Sequence, residues 1–214
     1  MSEPAVVEQP DISNSIGNFA ELVAGGTPSP GGGSVSAYCG MLAASLGQMV
    51  CNLTIGRKKY ADSEPRVLEI KSELERLGSR LRELIAEDAA SFEAVLEAYR
   101  LPKDTDAQKD ARTVQIQNAL QGAVAVPFET SQRSSEVLVL LRELAGIGNT
   151  NALSDVAVGA RLAQTAIRGA AYNVAINLDS IAQRESADLT RERVNAMIVQ
   201  SKSLAEQVES MLRM

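Results

Sequence analysis

The chain of 214 residues contains no histidine and no tryptophan, and it has only two cysteines. Zinc and most transition-metal sites need histidine or cysteine ligands, so a site of that kind is not expected. Acid-base chemistry must instead come from Asp, Glu, Lys, Tyr or water at shifted pKa values. Cys39 and Cys51 lie in one predicted helix, about 18 Å apart along its axis, and cannot form a disulfide with each other.

Aromatic side chains are also scarce, and acidic residues outnumber basic ones by 27 to 21. The net charge is −6 at pH 7, the isoelectric point is about 4.9 and 3% of residues are aromatic. A nucleic-acid binder normally presents a basic face, so no nucleic-acid partner is expected. No secretory leader is recognisable, and we expect a cytoplasmic protein. No alternating apolar pattern predicts a strand, and the chain length favours one core and a single domain.

The longest unusual feature is a stretch without charge. No charged residue occurs between Glu21 and Arg57. Prolines and glycines at residues 28–33 predict a turn, and a helix is expected from about Ser34 to about Ile55, capped by Ser34 or a glycine. Small residues all around this helix predict other helices packed on all of its sides, and no membrane span. The N–H groups at its start are expected to bind an anion or a dipole.

Helical periodicity accounts for most of the remaining chain. The expected helices cover residues 12–24, 34–55, 65–100, about 105–126, a segment that stops at about 146, 156–181 and 187–212. Pro127 is expected to kink or end the fourth of them. Residues 1–11 lack periodicity and are expected to form a loose arm. The sequence therefore predicts an all-α multihelical bundle with a central helix rich in small residues, in which residues 12–214 form the domain.

A carboxylate interrupts the most regular apolar stripe of the chain. In the third predicted helix, apolar residues recur every three or four positions from Ile70 to Tyr99. Asp88 occupies one of these positions, four after Leu84 and four before Phe92. A carboxylate there is costly unless it is paired or has a function. Two interpretations follow: a structural ion pair or helix-linking hydrogen bond, or a catalytic group with a raised pKa.

Two asparagines lie on one face of a later predicted helix. Asn173 and Asn177 are four residues apart, so their amides point to the same side. We expect these amides to connect helices through hydrogen bonds.

Several blocks occur together in a characteristic order. They read TPSPGGGS at residues 27–34, NLTIGRKKY at 52–60, Asp88 with Phe92, YRLPKDT at 99–105, GNTN at 148–151 before Ser154 and Asp155, and NVAINL at 173–178. In these blocks the chain resembles the formimidoyltetrahydrofolate cyclodeaminase / methenyltetrahydrofolate cyclohydrolase family, and the resemblance extends from about Phe19 to Leu178.

The resemblance implies an all-helical enzyme, usually dimeric, that acts on one-carbon adducts of tetrahydrofolate. The first expectation is a cyclohydrolase, which converts 5,10-methenyltetrahydrofolate to 10-formyltetrahydrofolate by adding water. The second is a cyclodeaminase, which closes 5-formimidoyltetrahydrofolate to the methenyl compound and releases ammonia. A third interpretation is a helical protein that binds folate without catalysis. Small uncharged residues on two helices, more than one core requires, also favour a homodimer.

Each expected site residue is assigned from the block that it matches. The catalytic candidates are Asp88 as general base, Lys58 as proton donor and Asp155 as the next candidate carboxylate. The expected substrate-binding residues are Gly31, Gly32, Gly33, Ser34, Asn52, Arg57, Lys59, Tyr60, Asn151 and Ser154. The glycine N–H groups and Ser34 suit the polar edge of a pterin, and the cations suit the carboxylates of a folate tail that carries one glutamate or several. The substrate is a tetrahydrofolate derivative, and no metal is expected.

Overall fold

The computed structural model describes residues 12–212, and the loose arm predicted for residues 1–11 lies outside them. The described residues form six α-helices and contain no strand. The helices are α1 (Ile12–Ala24), α2 (Gly32–Thr54), α3 (Glu64–Arg100), α4 (Asp106–Ile147), α5 (Leu153–Leu178) and α6 (Arg184–Ser210). Short 3₁₀ turns at Lys58–Tyr60 and Thr150–Ala152 follow α2 and precede α5. The all-α prediction is confirmed.

Helix α2 lies at the centre of the bundle, in contact with α3, α4 and α5. Its glycines let these neighbours approach closely. A Cβ atom at Gly40 would lie 2.5 Å from the Ser134 hydroxyl oxygen, and one at Gly47 would lie 2.6 Å from a methyl carbon of Leu74. The prediction of a central helix rich in small residues is therefore confirmed, and the physical reason is backbone proximity.

The prediction that helices cover α2 on all sides is wrong. Its buried residues occupy one side, whereas Ser45, Met49 and Leu53 on the other side are exposed. By length and composition, α2 is the one helix among residues 12–212 that could cross a membrane, and half of its most apolar window is buried. The core helix of a bundle meets the same criterion, and α2 has that position here.

Helices α3 and α4 form a long antiparallel hairpin beside α2. Pro65 lies in the first turn of α3, and Thr105 begins α4 with a capping box in which its hydroxyl accepts the Gln108 N–H. On the outer side, Arg66 binds Glu143 at 2.8 Å and Arg80 binds Glu129 at 2.9 Å. These ion pairs are partly exposed and contribute modestly to stability.

Pro127 does not end the helix in which it lies. Helix α4 has 42 residues, from Asp106 to Ile147, and Pro127 lies inside it. The sequence predicted two shorter helices over this range. Proline has no N–H for the carbonyl of Ala123, four residues earlier. That carbonyl accepts a hydrogen bond of 2.7 Å from the Asn177 side-chain amide instead. An amide of α5 therefore replaces the missing backbone bond of α4.

The apolar stripe of α3 is buried over only part of its length. Ile70, Leu74, Leu77, Leu81 and Leu84 belong to the main core with α2, α4 and α5. Beyond them, Phe92 and Tyr99 are 37% and 48% exposed, which corrects the prediction of one continuous buried stripe. The buried residue near this end is Ala98, in a second cluster with α4, α5 and α6. Asp88 lies at the transition between the two clusters.

Candidate functional site

The first turn of α2, the middle of α3 and the end of α5 meet at one end of the bundle. Gly31 is the N-cap of α2 in an extended conformation, so the prediction of a glycine cap is correct. A Cβ atom on Gly32 would lie 3.8 Å from the amide nitrogen of Asn173, which shows how close α5 comes. We call this region the glycine end of the bundle.

Asp88 reaches from α3 to the first turn of α2. The Ser34 hydroxyl donates a hydrogen bond of 2.9 Å to Asp88 Oδ2. Burial raises the pKa of Asp88, and hydrogen bonding from Ser34 opposes that effect only partly. Asp88 forms no salt bridge with any residue in the described range. The ion-pair interpretation is therefore wrong, whereas the helix-linking hydrogen bond is present.

Gly33 is required by the position of this carboxylate. A Cβ atom built on Gly33 would lie 2.0 Å from Asp88 Oδ1 and 2.5 Å from Asp88 Cγ. No side chain fits at that distance unless Asp88 moves. The glycine end therefore has two roles: it permits the turn into α2, and it leaves the space that the carboxylate occupies.

A cavity of about 220 Å³ opens beside Asp88. Its walls combine polar groups with a few apolar side chains, and they comprise Pro28, Ser29, Gly31, Gly32, Gly33, Asp88, Ser91, Phe92, Val95, Ala123, Asn173, Ile176 and Asn177. A mostly formed cleft with a few convergent polar groups is typical of a small-molecule site. We call it the Asp88 cavity.

The two asparagines of α5 contribute hydrogen-bond acceptors to this cavity. Asn177 donates through its amide nitrogen to the Ala123 carbonyl, and Asn173 donates in the same way to the Gly169 carbonyl at 3.0 Å. Each bond fixes which atom of the amide is the donor, and the carbonyl oxygen of each amide is left as an acceptor. Asn177 connects two helices as predicted, whereas Asn173 bonds within its own helix.

Backbone donors complete the polar lining. The first helical bond of α2 runs from the Val35 N–H to the Gly31 carbonyl. The N–H groups of Gly32 and Gly33 take part in no hydrogen bond among the described residues, as is usual for the first turn of a helix. The cavity thus offers a carboxylate, two amide oxygens and two free backbone donors.

The remaining predicted residues lie at the other end of α2. Residues 57–59, which we call the cationic turn, follow the last turn of this helix and are exposed. The Lys59 ammonium donates to the Thr150 hydroxyl at 3.2 Å, and the Asn149 amide donates to the Leu53 carbonyl at 2.9 Å. These bonds join the turn to the loop before α5. Asn52, Asn151 and Ser154 are exposed in the same region, and Asp155 is half-buried in the first turn of α5.

Tyr60 has the most unusual environment at this end. The backbone N–H of Thr150 donates to its phenol oxygen at 3.0 Å, and the Thr150 hydroxyl lies 3.2 Å away. The Thr150 hydroxyl, its backbone N–H and the nearby Lys59 lower the pKa of Tyr60 to about 8. Lys58 is exposed, so it lacks the burial on which its predicted role as a proton donor depends. Tyr60 is the better candidate for proton transfer at this end.

The structure divides the predicted site into two parts. Asp88 and the residues of the glycine end lie together, and the other predicted residues lie around the cationic turn. Helix α2 separates the two groups, and its 23 residues span about 33 Å. One protomer therefore does not bring Asp88 and Lys58 to a common substrate atom, which corrects the expectation of one compact site.

Sequence reasoning missed several residues of the Asp88 cavity. It assigned Asn173 and Asn177 only a structural role, although their spacing already placed both on one face. Ser91 and Ala123 gave no sequence signal, because their position depends on how the helices pack. Asn149 and Thr150 were part of a recognised block, but their bonds to α2 and Tyr60 appear only in the structure.

Other features of the described chain offer less chemistry. Within residues 12–212, no group of three His, Cys, Asp or Glu side chains is arranged to hold a metal ion. A larger and more open depression of about 590 Å³ lies between α3 and α4, lined by Ala94, Glu97, Ala98, Leu101, Gln115 and Ala119. It has one carboxylate and no paired amides, so the Asp88 cavity is the stronger candidate site.

Comparison with known proteins gives a consistent result. The sequence profile described as "Formiminotransferase-cyclodeaminase" matches residues 15–196. A Methylorubrum extorquens protein named methenyltetrahydrofolate cyclohydrolase is 36% identical over 92% of this chain and 94% of its own length. The mouse formimidoyltransferase-cyclodeaminase is 33% identical over 92% of this chain, which spans only 37% of that longer protein. The crystal structure of formiminotetrahydrofolate cyclodeaminase from Thermotoga maritima matches with a TM-score of 0.80 and 30% identity, over 92% of this chain and 94% of that one.

Proposed function

Because the chain belongs to the formiminotransferase-cyclodeaminase family, we propose that it hydrolyses 5,10-methenyltetrahydrofolate to 10-formyltetrahydrofolate. The Methylorubrum extorquens protein that carries this activity in its name is matched along 94% of its own length. The longer animal enzymes are matched over little more than a third of theirs. Nearly the whole of the cyclohydrolase relative thus corresponds to this chain, which supports the hydrolytic reaction.

The observation that carries the proposal is the unpaired carboxylate in the wall of the Asp88 cavity. The methenyl carbon of the substrate lies in a cationic amidinium group, so a carboxylate beside it stabilises the bound cation. A raised pKa also makes Asp88 a better proton acceptor than an ordinary aspartate, because basicity rises with pKa. A structural ion pair would have removed this capacity, and the described residues provide no such partner.

The chemistry balances with one water molecule. Water attacks the methenyl carbon, and Asp88 accepts a proton from it as the C–O bond forms. The tetrahedral carbon then loses its bond to N5, and the remaining hydroxyl becomes the formyl oxygen on N10. N5 receives one proton, so the net reaction releases one proton to solvent. The free N–H groups of Gly32 and Gly33 are suited to the oxygen as negative charge develops on it.

The rest of the substrate is assigned to groups of matching polarity. The side-chain carbonyl oxygens of Asn173 and Asn177 accept hydrogen bonds from the N–H groups of the pterin. Phe92 and Val95 provide apolar contact at the mouth of the cavity. The cationic turn is the counterpart of the tail carboxylates, whether the tail has one glutamate or several.

The second candidate is cyclodeamination of 5-formimidoyltetrahydrofolate with release of ammonia. The likeness to the Thermotoga maritima cyclodeaminase, at a TM-score of 0.80, favours it. This reaction passes through the same tetrahedral carbon between N5 and N10, so Asp88 would again transfer the proton. A third outcome, folate binding without turnover, is contrary to the presence of a carboxylate with a raised pKa in the cavity.

Two parallel assays distinguish these functions. One follows the loss of absorbance of 5,10-methenyltetrahydrofolate, corrected for its spontaneous hydrolysis, and the other measures ammonia released from 5-formimidoyltetrahydrofolate. We expect the first turnover to exceed the second. Ammonia release as the dominant reaction would instead establish the cyclodeaminase, and tight folate binding without either turnover would establish the binding protein.

Two further properties belong to this proposal. We place the enzyme in the cytoplasm, in keeping with the scarcity of cysteine, and we assign it a homodimeric state. The open uncharged side of α2 supports the dimer. Cell fractionation and light scattering test the two statements separately.

A further inference from the structure

We propose that Ser34 is a positioning residue for Asp88, and that its hydroxyl changes its hydrogen-bond acceptor when Asp88 gains or loses a proton. While Asp88 is ionised, the hydroxyl donates to the carboxylate. Once Asp88 is protonated, the hydroxyl donates to the backbone carbonyl of Ile85 instead. This inference rests on the proposed function, in which Asp88 accepts a proton from water, and adds how the protein accommodates that proton.

The first argument is that one hydroxyl has two acceptors within reach. The Ser34 Oγ atom lies 2.9 Å from Asp88 Oδ2 and 3.1 Å from the Ile85 carbonyl oxygen. A serine hydroxyl carries a single proton, so it donates fully to only one acceptor at a time. Both acceptors belong to α3 and lie about one turn apart, so the hydroxyl links α2 to α3 in either orientation. Rotation about the C–O bond of Ser34 is enough to exchange them.

The second argument is that Ser34 is shielded from the substrate. The residue is 0% exposed, and it is not part of the lining of the Asp88 cavity. A buried hydroxyl must find its hydrogen bonds inside the protein. We therefore assign Ser34 a role that acts through Asp88, in place of the contact with the pterin that its sequence block suggests.

The third argument is that the charge of Asp88 decides between the two acceptors. A hydrogen bond to an ionised carboxylate is roughly twice as strong as one between neutral groups. Ser34 therefore donates to Asp88 while that residue is a carboxylate. Protonation removes this advantage, and the Ile85 carbonyl, a strong acceptor like every backbone carbonyl, then takes the hydroxyl. A carbonyl oxygen has two lone pairs, so Ile85 keeps its helical hydrogen bond as well.

The position of the carboxylate indicates which of its oxygens receives the proton. A Cβ atom on Gly33, in the wall of the cavity, would lie 2.0 Å from Asp88 Oδ1 and 2.6 Å from Oδ2, so Oδ1 is nearer to that wall. Oδ2 is the oxygen bound to Ser34. The proton passes from water to Oδ1 as the C–O bond to the methenyl carbon forms. Ser34 keeps its own proton throughout, and only its hydroxyl rotates.

No charged side chain of the described residues shares this control of Asp88. Helix α2 carries no charged residue, and α4 contributes only an alanine to the cavity wall. Helix α5 presents the two neutral amides of Asn173 and Asn177. Next to Asp88 on α3, the Glu87 carboxylate is bound to Arg80. Burial and the Ser34 hydroxyl therefore govern the charge state of Asp88.

The exchange of acceptors keeps Asp88 basic. Burial raises the pKa of Asp88, and hydrogen bonding from Ser34 lowers it. A donor that could bind only the carboxylate would favour the ionised form by the whole energy of its hydrogen bond. Ser34 favours that form only by the difference between its two bonds, because the Ile85 carbonyl takes the hydroxyl after protonation. The carboxylate is thus held in position and still accepts a proton readily.

Infrared difference spectroscopy of the wild type and Ser34→Ala tests the exchange directly. Spectra at high and low pH are subtracted from each other, and bands that are absent from Asp88→Asn are assigned to Asp88. The carboxylate band of ionised Asp88 should differ between the wild type and Ser34→Ala, because alanine removes the donor. The C=O stretching band of protonated Asp88 should be the same in both proteins, since the hydroxyl has turned to Ile85.

Two other infrared results would overturn the proposal. A difference in both bands would show that the hydroxyl stays on Asp88 in either charge state. Identical carboxylate bands would show that Ser34 does not bind the ionised group at all. The measurement needs no turnover, so it decides the role of Ser34 by itself. Absence of wild-type turnover with either folate would refute the proposed function and leave the infrared result unchanged.

The kinetics of Ser34→Ala separate positioning from a purely structural role. Alanine removes the donor to the ionised form, so the pKa of Asp88 should rise and the acidic limb of kcat/KM should move to higher pH by about one unit. Above that limb kcat should fall about tenfold, because the carboxylate is less well positioned. KM should stay within about twofold of the wild-type value, since Ser34 does not touch the substrate.

Ser36→Ala is the matched control. Ser36 is also buried on α2, but its hydroxyl donates to the Gly32 carbonyl of its own helix at 2.7 Å. Its removal should leave the acidic limb where it is in the wild type. Circular dichroism should show unchanged helix content in both alanine variants. A limb that does not move in Ser34→Ala, or a raised KM with unchanged kcat, would show that Ser34 does not act through Asp88.

Discussion

Replacement of Asp88 by asparagine separates the catalytic interpretation from the structural one. Asparagine keeps the shape of the side chain and an oxygen that can accept the hydrogen bond from the Ser34 hydroxyl, but it cannot accept a proton. Removal of a general base lowers turnover by about a hundredfold or more, which corresponds to about 2.7 kcal/mol of transition-state stabilisation. We expect a loss of that size in kcat for methenyltetrahydrofolate hydrolysis.

The Asp88→Asn substitution should lower kcat but should not lower the stability of the fold. Burial raises the pKa of Asp88 above its ordinary value of 3.8, so between the unfolded and folded pKa the native state binds more protons than the unfolded state. The stability of the wild type therefore falls as pH rises through that interval, and the penalty is absent below it. Asp88→Asn carries no such penalty, so its melting temperature at neutral pH should equal or exceed that of the wild type.

The same variant also has a pH signature. Wild-type kcat/KM should decrease as pH falls through the raised pKa of Asp88, whereas the residual activity of Asp88→Asn should lack this step. Asp110→Asn, on the exposed side of α4, is the matched control and should change neither turnover nor melting. A strongly destabilised Asp88→Asn with near-normal turnover would refute the reasoning, because Asp88 would then serve only to link α3 to α2.

Three further predictions concern the surroundings of the cavity and the cationic turn. Gly33→Ala forces the cavity carboxylate to move and should lower kcat at least tenfold, while Gly146→Ala on α4, with no atom within 4 Å of the added carbon, should be tolerated in the same assay. Asn177→Leu leaves the Ala123 carbonyl without a donor and should lower the free energy of unfolding, measured with denaturant, by about 1–3 kcal/mol. Adding Pro127→Ala to this variant should recover much of the lost stability, because residue 127 regains a backbone N–H for the same carbonyl. Additive losses of stability from the two substitutions would contradict this prediction. Ultraviolet difference titration against Tyr60→Phe should show a phenol ionising near pH 8, and a value near 10 would disprove its hydrogen bonding.

The sequence was most informative where local chemistry decides the structure. The ends of α2 follow from the glycines before it and from Gly56 after it, whose φ of +75° suits glycine. Asp88 was recognisable because it breaks an apolar stripe. Its partner was not, because Ser34 is 54 residues away and meets it only through helix packing.

The errors came from long-range contacts and from distances along helices. A proline usually ends a helix because the carbonyl four residues earlier loses its donor. At Pro127 that donor is replaced by the Asn177 amide on another helix, which the local sequence does not show. The exposure of Phe92 could not be read from periodicity, because the pattern does not say where the core stops. The division of the site was in principle visible, since its two groups of residues flank one predicted helix of more than twenty residues.

The bond between Asn177 and the Ala123 carbonyl has a consequence for how the family can vary. Pro127 and Asn177 lie far apart in sequence, yet the asparagine makes the proline acceptable: the proline leaves a carbonyl without its helical donor, and the asparagine supplies one. Loss of the asparagine alone leaves a buried acceptor unsatisfied, whereas loss of the proline alone is tolerated, because a carbonyl oxygen has two lone pairs and can accept both donors. A lineage that keeps the proline should therefore keep the asparagine, whereas a lineage that abandons the proline is free to change the asparagine unless the substrate also depends on it.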